Sequence, residues 1–395
     1  MRNTLIIAGG VVAGFAILAG LWWYLLVNGG PEELALENPF STGGEVAVSV
    51  VEPLEEELST DTRSPLRRIH PRPVAGAAMI SDGSRSLVHF AELGTGHLYA
   101  YDPSSGTSTR LSGTTVPRTI DAAWSPDGVH VVLTTQGDAG TVRNFLATLV
   151  STVAESSTTS ASTAPQGDVL LETIELDRDA ENIAFSPDGA SLYFTLPTAS
   201  GSTGYAYDPE TGAREVRFTS PLRDLRVAWE PAPVAYASPS ADADGYAFYP
   251  ESGERIVGGL SGLILTPAGE RVVLTYIGED GPVSRASTID GTQLTLTVFP
   301  EKCTPDPFAP HILWCAAPTA LPAGRYPDSW YQGVVTLEDE LWQLNTVTGS
   351  ATLLSIPTED AGVSIDAVGL TISNEGDVLT FINKRDGGLW LQEIQ

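Results

Sequence analysis

The sequence predicts an all-β protein, a seven-bladed β-propeller preceded by one transmembrane helix. Three observations predict it. A strand–turn–strand unit recurs from residue 74 to the end of the chain, a lone strand-like segment stands before the first unit, and an uncharged apolar run lies near the N-terminus. A unit that recurs about every forty-five residues and contains four strands is typical of propeller blades.

The apolar run comes first in the chain. Residues 4–27, TLIIAGGVVAGFAILAGLWWYLLV, carry no charge and are long enough to cross a bilayer. Arg2 precedes the run and no Lys or Arg follows before Arg63, so the positive-inside rule places the N-terminus in the cytoplasm. A cleaved signal peptide is the alternative, but its apolar core is normally shorter. We expect residues 1–27 to be a cytoplasmic N-terminus with a membrane anchor, and the rest to lie in the periplasm or at the cell surface.

Residues 28–63 separate the anchor from the first strand-like segment. They are rich in Glu, Gly, Ser and Pro and contain few aromatic residues. Such a composition cannot bury enough apolar surface to fold by itself. We expect an acidic, flexible tether here, and a propeller over residues 64–395.

The repeat is clearest in two segments, IDAAWSPDGVHVVLTT from Ile120 and ENIAFSPDGASLYFTL from Glu181. Each reads as a strand, a Ser-Pro-Asp-Gly turn and a second strand with alternating apolar residues. A second hairpin follows, as in LYAYDPSSGTSTRL and GYAYDPETGAREVRF, and completes a four-stranded sheet. The first-hairpin turns are predicted near seven residues: Asp82, Asp127, Asp188, Ala232, Ala268, Ala317 and Glu375.

The last blade lacks a strand. After its first turn the chain supplies only DVLTFINKRDGGLWLQEIQ and ends. The segment PLRRIHP, residues 65–71, is the one strand-like stretch left over, so we predict that it pairs with Leu389–Ile394 and closes the ring. Closure removes two exposed sheet edges that otherwise invite aggregation. The alternative is that Leu66–His70 is merely the end of the tether.

The Ser-Pro-Asp-Gly hairpins resemble TolB-like propeller repeats, a WD-repeat-type family common in bacterial envelope proteins. The resemblance covers roughly residues 65 to 395 and implies a propeller in the envelope with a binding or scaffolding role. The segments EKCTPDPFAPHILWCAAP and RYPDSWYQG also look like parts of membrane-anchored bacterial propellers. Neither likeness carries a catalytic motif.

Charge excludes one class of partner. The chain has 21 basic and 49 acidic residues, a net charge of −28, and such a surface repels phosphate backbones, so nucleic acid is not an expected partner. Only Lys302 and Lys384 are lysines, and we attribute that scarcity to genome bias or adaptation to salt, not to a site. Cys303 and Cys315 are the two cysteines; outside the cytoplasm they are expected to form a disulfide.

Motifs for catalysis or metal binding are weak. No G-x-S-x-G occurs, no cofactor is indicated, and the carboxylates are too numerous for a pair to be singled out. Asp127 and Asp188 are best explained as turn formers. Asp242 and Asp244 resemble part of a calcium loop, but the first position of that loop is Ser240, so calcium remains a weak candidate. The Ser/Thr tract over residues 151–167 predicts an exposed loop between the third and fourth strands of blade two, conceivably O-glycosylated.

Tryptophan positions indicate a candidate binding loop. Five tryptophans fall at repeated strand positions and are expected between blades: Trp124, Trp229, Trp314, Trp342 and Trp390. Trp330 has no counterpart and lies in GRYPDSWYQG, an insertion within blade six. Aromatic rings beside a cation, a carboxylate and an amide are typical of a binding surface. The candidate ligand-binding residues are Arg325, Tyr326, Asp328, Trp330, Tyr331 and Gln332; the alternative is a loop folded over the propeller for packing.

These observations favour a non-catalytic binding or scaffolding module at the cell envelope, with an envelope protein or a glycan as its ligand. The alternative from another class is a carbohydrate-active enzyme that uses carboxylates in the propeller funnel, about 5–10 Å apart. A third is a structural stalk that spaces other components.

Overall fold

A computed structural model describes residues 64–394 except 84, 152–168, 230–232, 238–239, 269–270 and 287–290. The predicted membrane anchor and tether lie outside these residues, as does most of the Ser/Thr tract. Among the described residues, no helix has the length and apolar character needed to cross a bilayer.

The described chain forms seven antiparallel sheets, as the repeat predicts. Blade 1 has β2 (Val74–Asp82), β3 (Arg85–Glu92), β4 (Leu98–Asp102) and β5 (Thr107–Arg110). Blade 2 has β6 (Thr119–Trp124), β7 (His130–Gln136), β8 (Val142–Ser151) and β9 (Val169–Glu175). Blade 3 has β10 (Glu181–Phe185), β11 (Leu192–Thr198), β12 (Gly201–Tyr207) and β13 (Arg214–Ser220). Blade 4 has β14 (Leu225–Trp229), β15 (Pro233–Ala237), β16 (Asp244–Phe248) and β17 (Arg255–Ser261).

Blade 5 has β18 (Ile264–Ala268), β19 (Arg271–Gly278) and β20 (Gly281–Ala286). Blade 6 has β21 (Cys303–Pro305), β22 (Ile312–Pro318), β23 (Asp339–Asn345) and β24 (Ala351–Ser355). Blade 7 has β25 (Ala367–Ile372), β26 (Val378–Asn383), β27 (Gly388–Glu393) and β1 (Leu66–Arg68). The helices are short: the 3₁₀ turns Asp138–Gly140 and Pro300–Lys302, and the α-helices α1 (Asp328–Tyr331) and α2 (Pro357–Asp360).

The first strands of successive blades contact one another in a closed ring, from β2 through β6, β10, β14, β18, β21 and β25 back to β2. Each first strand begins at the same end of this ring, which we call the upper face. In an antiparallel meander, the loops between second and third strands lie at that face too. The turns within each hairpin, between strands one and two and between strands three and four, lie at the opposite lower face.

The predicted Ser-Pro-Asp-Gly turns are confirmed. Asp127 Oδ1 accepts hydrogen bonds from the Ser125 hydroxyl at 2.5 Å and from the Val129 N–H at 3.0 Å. Asp188 makes the same contacts one blade later, and the Ser186 hydroxyl bond lowers the pKa of its carboxyl. Both aspartates are therefore turn formers at the lower face.

The first-hairpin turn predicted near Ala317 is wrong. Ala317 lies within β22, the second strand of blade 6, and the first hairpin joins β21 to β22 through residues 306–311. The first strand escaped recognition because it is only three residues long and three prolines follow Thr304 within six residues. Trp314 consequently lies on a second strand, although it is buried between blades 6 and 7 as expected.

Packing between neighbouring blades forms the core. Trp314, Ala316 and Leu341 of blade 6 pack with Phe381 and Trp390 of blade 7 in one continuous cluster. The remaining predicted core tryptophans also pack in clusters within or between blades: Trp124, Trp229 and Trp342. The prediction that these five tryptophans are core residues is confirmed.

The ring is closed by the N-terminal strand, as predicted. β1 pairs antiparallel with β27, with Leu66 opposite Gln392 and Arg68 opposite Trp390. Leu66 is only 1% exposed and belongs to the cluster between blades 6 and 7. Arg67 donates to Glu393 at 2.6 Å. The outer strand of the last blade therefore comes from the start of the propeller, and the chain enters at the lower face.

A buried polar cluster fixes the chain where it leaves β1. His70 Nε2 lies 3.1 Å from Glu92 Oε1, and both side chains are buried. Glu92 also contacts Arg72 at 3.1 Å and accepts from the Thr95 hydroxyl at 2.9 Å. Burial lowers the pKa of His70 despite the contact with Glu92. The neutral imidazole is therefore the form that the fold favours.

Blade 5 departs from the four-stranded pattern within the described residues. Its third strand, β20, forms the outer edge, and Pro282 there has no N–H to donate. Residues 291–294 cover part of the edge through the bonds from Ala286 N–H to Thr292 O and from Leu294 N–H to Ser284 O. The proline and this cover protect an edge that would otherwise be open to pairing.

The predicted disulfide is confirmed. Cys303 on β21 and Cys315 on β22 are directly opposite in the register and are joined, with their Cα atoms 4.1 Å apart. β21 makes only three register pairs with its neighbour, so the bond reinforces a short first strand. In the chain-entropy model, a loop of this length contributes about 3 kcal/mol.

Removing the Leu66 side chain should weaken ring closure. We expect Leu66→Ala to lower the free energy of unfolding by about 2–5 kcal/mol, because it leaves a cavity between blades 6 and 7. Leu353→Ala, on the outer strand β24 where the residue is 41% exposed, is the matched control and should change stability by less than about 1 kcal/mol. Urea denaturation measures both, and equal losses would contradict the importance of β1.

The pKa of His70 predicts a pH dependence of stability. Because folding lowers this pKa below its ordinary value of 6.5, the unfolded chain binds more protons, and stability falls as the pH drops below that value. We expect wild type to lose stability relative to His70→Gln between about pH 7.5 and 5.5. Parallel pH profiles of the two proteins, measured by thermal unfolding, would show that His70 is not the titrating group.

Candidate functional site

The insertion of blade 6 lies at the upper face. It lies within blade 6, as predicted, and runs from residue 319 to residue 338 between β22 and β23, the second and third strands. Its helix α1 carries Asp328, Trp330 and Tyr331, and each of these side chains contacts a different part of the propeller. The insertion is therefore attached at several points.

Asp328 attaches the insertion to blade 4. Its carboxylate accepts hydrogen bonds from the Ser240 hydroxyl at 3.0 Å and from the Ala241 N–H at 2.6 Å, both in the loop between β15 and β16. Burial opposes ionisation of Asp328, but these bonds outweigh it and the pKa lies below its usual value. Asp328 is thus a charged anchor.

Trp330 attaches the insertion to blade 7. Its indole Nε1 donates to both carboxylate oxygens of Asp366 at 3.1 Å, and its ring stacks on Phe299 with 5.3 Å between centroids. The Nζ atoms of Lys302 and Lys384 lie 5.0 Å and 4.2 Å from the centroid of the indole ring. Two cations therefore interact with one buried aromatic ring.

Lys302 is the centre of a buried ionic cluster. Its ammonium group donates to Asp339 and to Asp366 at 2.6 Å each, and all three side chains are fully buried. The Leu337 N–H donates to Asp366 at 3.0 Å and the Ala367 N–H donates to Asp339 at 2.7 Å. Hence each carboxylate receives both an ammonium and a backbone donor.

Lys384 completes the charge balance of this cluster. Its ammonium donates to the carbonyl oxygen of Trp330. Burial, together with the nearby charge of Lys302, lowers the pKa of Lys384 although Asp366 opposes the shift. Burial likewise raises the pKa of Asp339 against the effect of Lys302. Two lysines and two aspartates are thus balanced around the indole of Trp330.

Tyr331 attaches the insertion to blade 4 from a second direction. Its hydroxyl donates to Glu301 at 2.6 Å and accepts from Arg226 at 3.1 Å, while the Arg226 guanidinium lies 4.5 Å from the ring centroid. Glu301 also forms an ion pair with Arg226 and accepts from the buried Tyr236 hydroxyl at 3.0 Å. Burial and the Glu301 charge raise the pKa of Tyr331, so the hydroxyl keeps its proton.

The other predicted residues of the loop differ in exposure. Tyr326 is buried and donates to the carbonyl of Pro322 at 2.6 Å. Arg325 and Gln332 are exposed, and Arg325 forms an ion pair with Asp242. The loop thus has a buried side, formed by its aromatic residues, and an exposed side that also carries Val334, which is 73% exposed.

Sequence reasoning missed most partners of the insertion. Lys302 and Lys384, set aside as a consequence of composition, both lie beside Trp330, and their rarity was the one available signal. The carboxylates of Glu301, Asp339 and Asp366 gave no signal, because nothing separates them in sequence from the many other acidic residues.

The calcium candidates do not meet in a metal-binding arrangement. Asp242 pairs with Arg325, and Asp244 is the first residue of β16. Glu251, another position of the candidate loop, forms an ion pair with Arg217. Within the described ranges, no group of three or more side chains is placed to hold a metal ion.

A second feature of the upper face is open to solvent. A cavity of about 730 Å³ lies at the start of β6 and β10 and is lined by residues that include Asp121, Asp179, Glu181 and Arg178. Asp121 is exposed to solvent, but protein atoms around the cavity partly desolvate its carboxyl group and raise its pKa. Burial, and then the charges of Asp224 and Asp179, raise the pKa of Glu181. The cavity therefore holds two carboxyl groups that retain protons more readily than usual.

Comparison with known proteins identifies the fold and no family. No family model and no curated protein matches the chain. Many solved structures are similar to the chain, and two examples cover most of its length. The β-propeller domain of Cps50 (Swd1) from Myceliophteria thermophila is 10% identical, with a TM-score of 0.50, and covers 84% of this chain and 100% of its own. An oligogalacturonate lyase from Vibrio parahaemolyticus is 13% identical, with a TM-score of 0.52, and covers 85% of this chain and 95% of its own.

Loss of the Lys302 charge should destabilise the fold strongly. We expect Lys302→Met to lower the free energy of unfolding by about 3–5 kcal/mol, because the buried carboxylates of Asp339 and Asp366 would lose the one ammonium group that contacts both of them. Lys384→Met is the matched control: this lysine is half-buried and donates to a carbonyl, so the loss should be about 1–2 kcal/mol. Urea denaturation compares the two, and equal effects would mean that Lys302 is not the centre of the cluster.

Proposed function

We propose that this protein is a single-pass membrane protein whose extracytoplasmic propeller binds a protein or glycan ligand at the cell envelope without catalysing a reaction. The observation that carries the proposal is the attachment of the blade 6 insertion. Asp328, Trp330 and Tyr331 are hydrogen-bonded to separate parts of the propeller. A loop held in one conformation loses little entropy when it binds.

Two observations support this proposed compartment. The Cys303–Cys315 disulfide is of a kind that persists in oxidising environments and is rare in the cytosol. The apolar run of residues 4–27 has the length and charge asymmetry of an anchor with its N-terminus inside. Together they support a propeller held outside the cytoplasm.

The proposed ligand-binding residues divide into two roles. Asp328, Trp330 and Tyr331 shape the loop, because their side chains are hydrogen-bonded to the propeller. Tyr326 shapes it from within, because its buried side chain donates to the carbonyl of Pro322 in the same loop. The exposed residues, Arg325 and Gln332 with the neighbouring Val334, make the contacts with the ligand. A cation, an amide and an apolar side chain on a rigid loop suit a polar ligand with one apolar face.

The cavity at β6 and β10 favours a second candidate, a carbohydrate-active enzyme. A glycosidase needs one carboxyl group that stays protonated near neutral pH and one that is ionised. Asp121 and Glu181 line the same cavity, which is large enough for a sugar ring or two, and the raised pKa of each makes either one a candidate for the protonated group. This candidate predicts cleavage of a glycan, and the binding proposal predicts none.

The experiment uses the full-length protein in detergent, on a glycan array and in pull-downs from envelope extract. The triple variant Arg325→Ala, Gln332→Ala, Val334→Ser changes only exposed side chains, so it should fold as wild type does. We expect it to lose a ligand that wild type retains, with at least about ten-fold weaker binding, or about 1.4 kcal/mol. Val347→Ser, at an exposed position of the lower face, is the matched control.

The outcomes separate the two candidates. A ligand lost by the triple variant and kept by Val347→Ser supports the binding module. Release of reducing ends from an array glycan, abolished by Asp121→Asn or Glu181→Gln, would support the enzyme instead. Equal binding by wild type and the triple variant would show that the insertion serves packing alone.

A further inference from the structure

Phe308 is the most exposed of the large apolar side chains in the described part of the chain, at 75%. It lies at the tip of the hairpin between β21 and β22, on the lower face, away from the insertion. Single exposed apolar residues are common on protein surfaces and need no function. The way this hairpin is held distinguishes Phe308 from the other exposed residues.

The hairpin is constrained at its base and at its tip. The Cys303–Cys315 disulfide joins its two strands. At the tip, Asp306 Oδ1 accepts from the N–H groups of Phe308 at 2.9 Å and Ala309 at 3.0 Å. Asp306 Oδ2 accepts from the indole of Trp314 at 3.1 Å. The tip is further restricted by the fixed φ angles of three prolines, Pro305, Pro307 and Pro310.

The aromatic ring has a defined position against the next blade. A Cβ atom placed on Gly376 would lie 3.6 Å from Cε2 of Phe308, so the ring lies beside the turn between β25 and β26. Most of the ring nevertheless lies in solvent. The chain thus presents an exposed aromatic side chain from a hairpin whose backbone is constrained by a disulfide and a capped turn, close to a neighbouring blade.

The surface beside Phe308 is acidic. Glu375 and Asp377 flank Gly376 and are exposed. Both also line a hollow of about 400 Å³ between blades 7 and 1, whose other charged residues are Asp102, Glu393 and one cation, Arg85. A basic side chain could enter this hollow while the phenyl ring enters an apolar pocket.

We propose that Phe308 is the anchor of a second interaction surface, which docks on a partner protein whose apolar pocket is rimmed by Lys and Arg. Aromatic side chains in central pockets carry much of the energy of protein interfaces, and a rigid anchor loses little entropy on docking. Two other occupants are disfavoured by charge: a second copy of this chain has a net charge of −28, and anionic lipid headgroups would repel Glu375 and Asp377. The surface is independent of the insertion.

The test begins with the full-length protein in the cells that produce it. A photocrosslinking phenylalanine analogue replaces Phe308 in one sample and Val347, an exposed residue of the same blade and face, in the control. The protein crosslinked at position 308 is identified by mass spectrometry, purified, and titrated with wild type and variants. We expect Phe308→Ala to raise Kd at least about ten-fold, Phe308→Trp and Val347→Ala to leave it within about two-fold, and added salt to weaken binding.

The same variants are tested by flotation with vesicles of phosphatidylcholine and phosphatidylglycerol. Vesicle binding that depends on Phe308 would assign the residue to the membrane and overturn the proposal. So would the absence of a protein crosslink specific to position 308, or a partner that binds Phe308→Ala as tightly as wild type. Because Phe308 is exposed, a melting temperature equal to that of wild type shows that Phe308→Ala is folded.

Discussion

The pairing of β1 with β27 is the constraint on which the rest of the structure depends. A propeller packs its sheets side by side in a ring, so each apolar cluster between blades requires both neighbouring blades to be in place. If the first and last blades were not joined, a sheet edge of each would be exposed. Leu66 completes the packing between blades 6 and 7, and the buried His70–Glu92 contact continues that attachment into blade 1. Ring closure thus depends on three features at the beginning of the propeller: the strand β1, the buried side chain of Leu66 and the hydrogen bond of His70 to Glu92.

The buried lysine cluster extends the same principle to the upper face. Removing charges from water opposes folding, and apolar residues of similar volume often stabilise a core at least as well. What an ionic cluster adds is geometry: Lys302 holds the Asp366 carboxylate in place, and this carboxylate accepts the indole N–H of Trp330 in one orientation. Asp328 and Tyr331 then fix the other side chains of helix α1, so the insertion is attached to the propeller at three points.

The two faces of the propeller differ in what they expose. At the upper face, the aromatic residues of the insertion pack against the propeller. The exposed side chains of the insertion and the cavity lined by Asp121 and Glu181 are open to solvent. At the lower face, an aromatic residue points outward from a constrained hairpin among carboxylates. The chain enters the propeller at that lower face. If both proposed surfaces bind, one domain would hold two partners on opposite faces.

Much of this fold could be predicted from the sequence, because hairpins are local. Ser-Pro-Asp-Gly turns and the alternating apolar residues beside them lie within about fifteen positions of each other. A count of the strands was then enough to assign Leu66 to the last blade. The short first strand at Cys303 was missed because prolines obscured it. The loop of Trp330 was located by its lack of a counterpart, yet its burial was not predictable. Its partners, Lys302 and Asp366, stand 28 and 36 positions away in sequence, and only the curvature of the ring brings them together. The sequence by itself determined the repeat, which rests on local patterning, and the closure, which follows from a count of the strands. The tertiary structure alone decided which charges are buried and which aromatic residues face water, since both depend on contacts between distant blades.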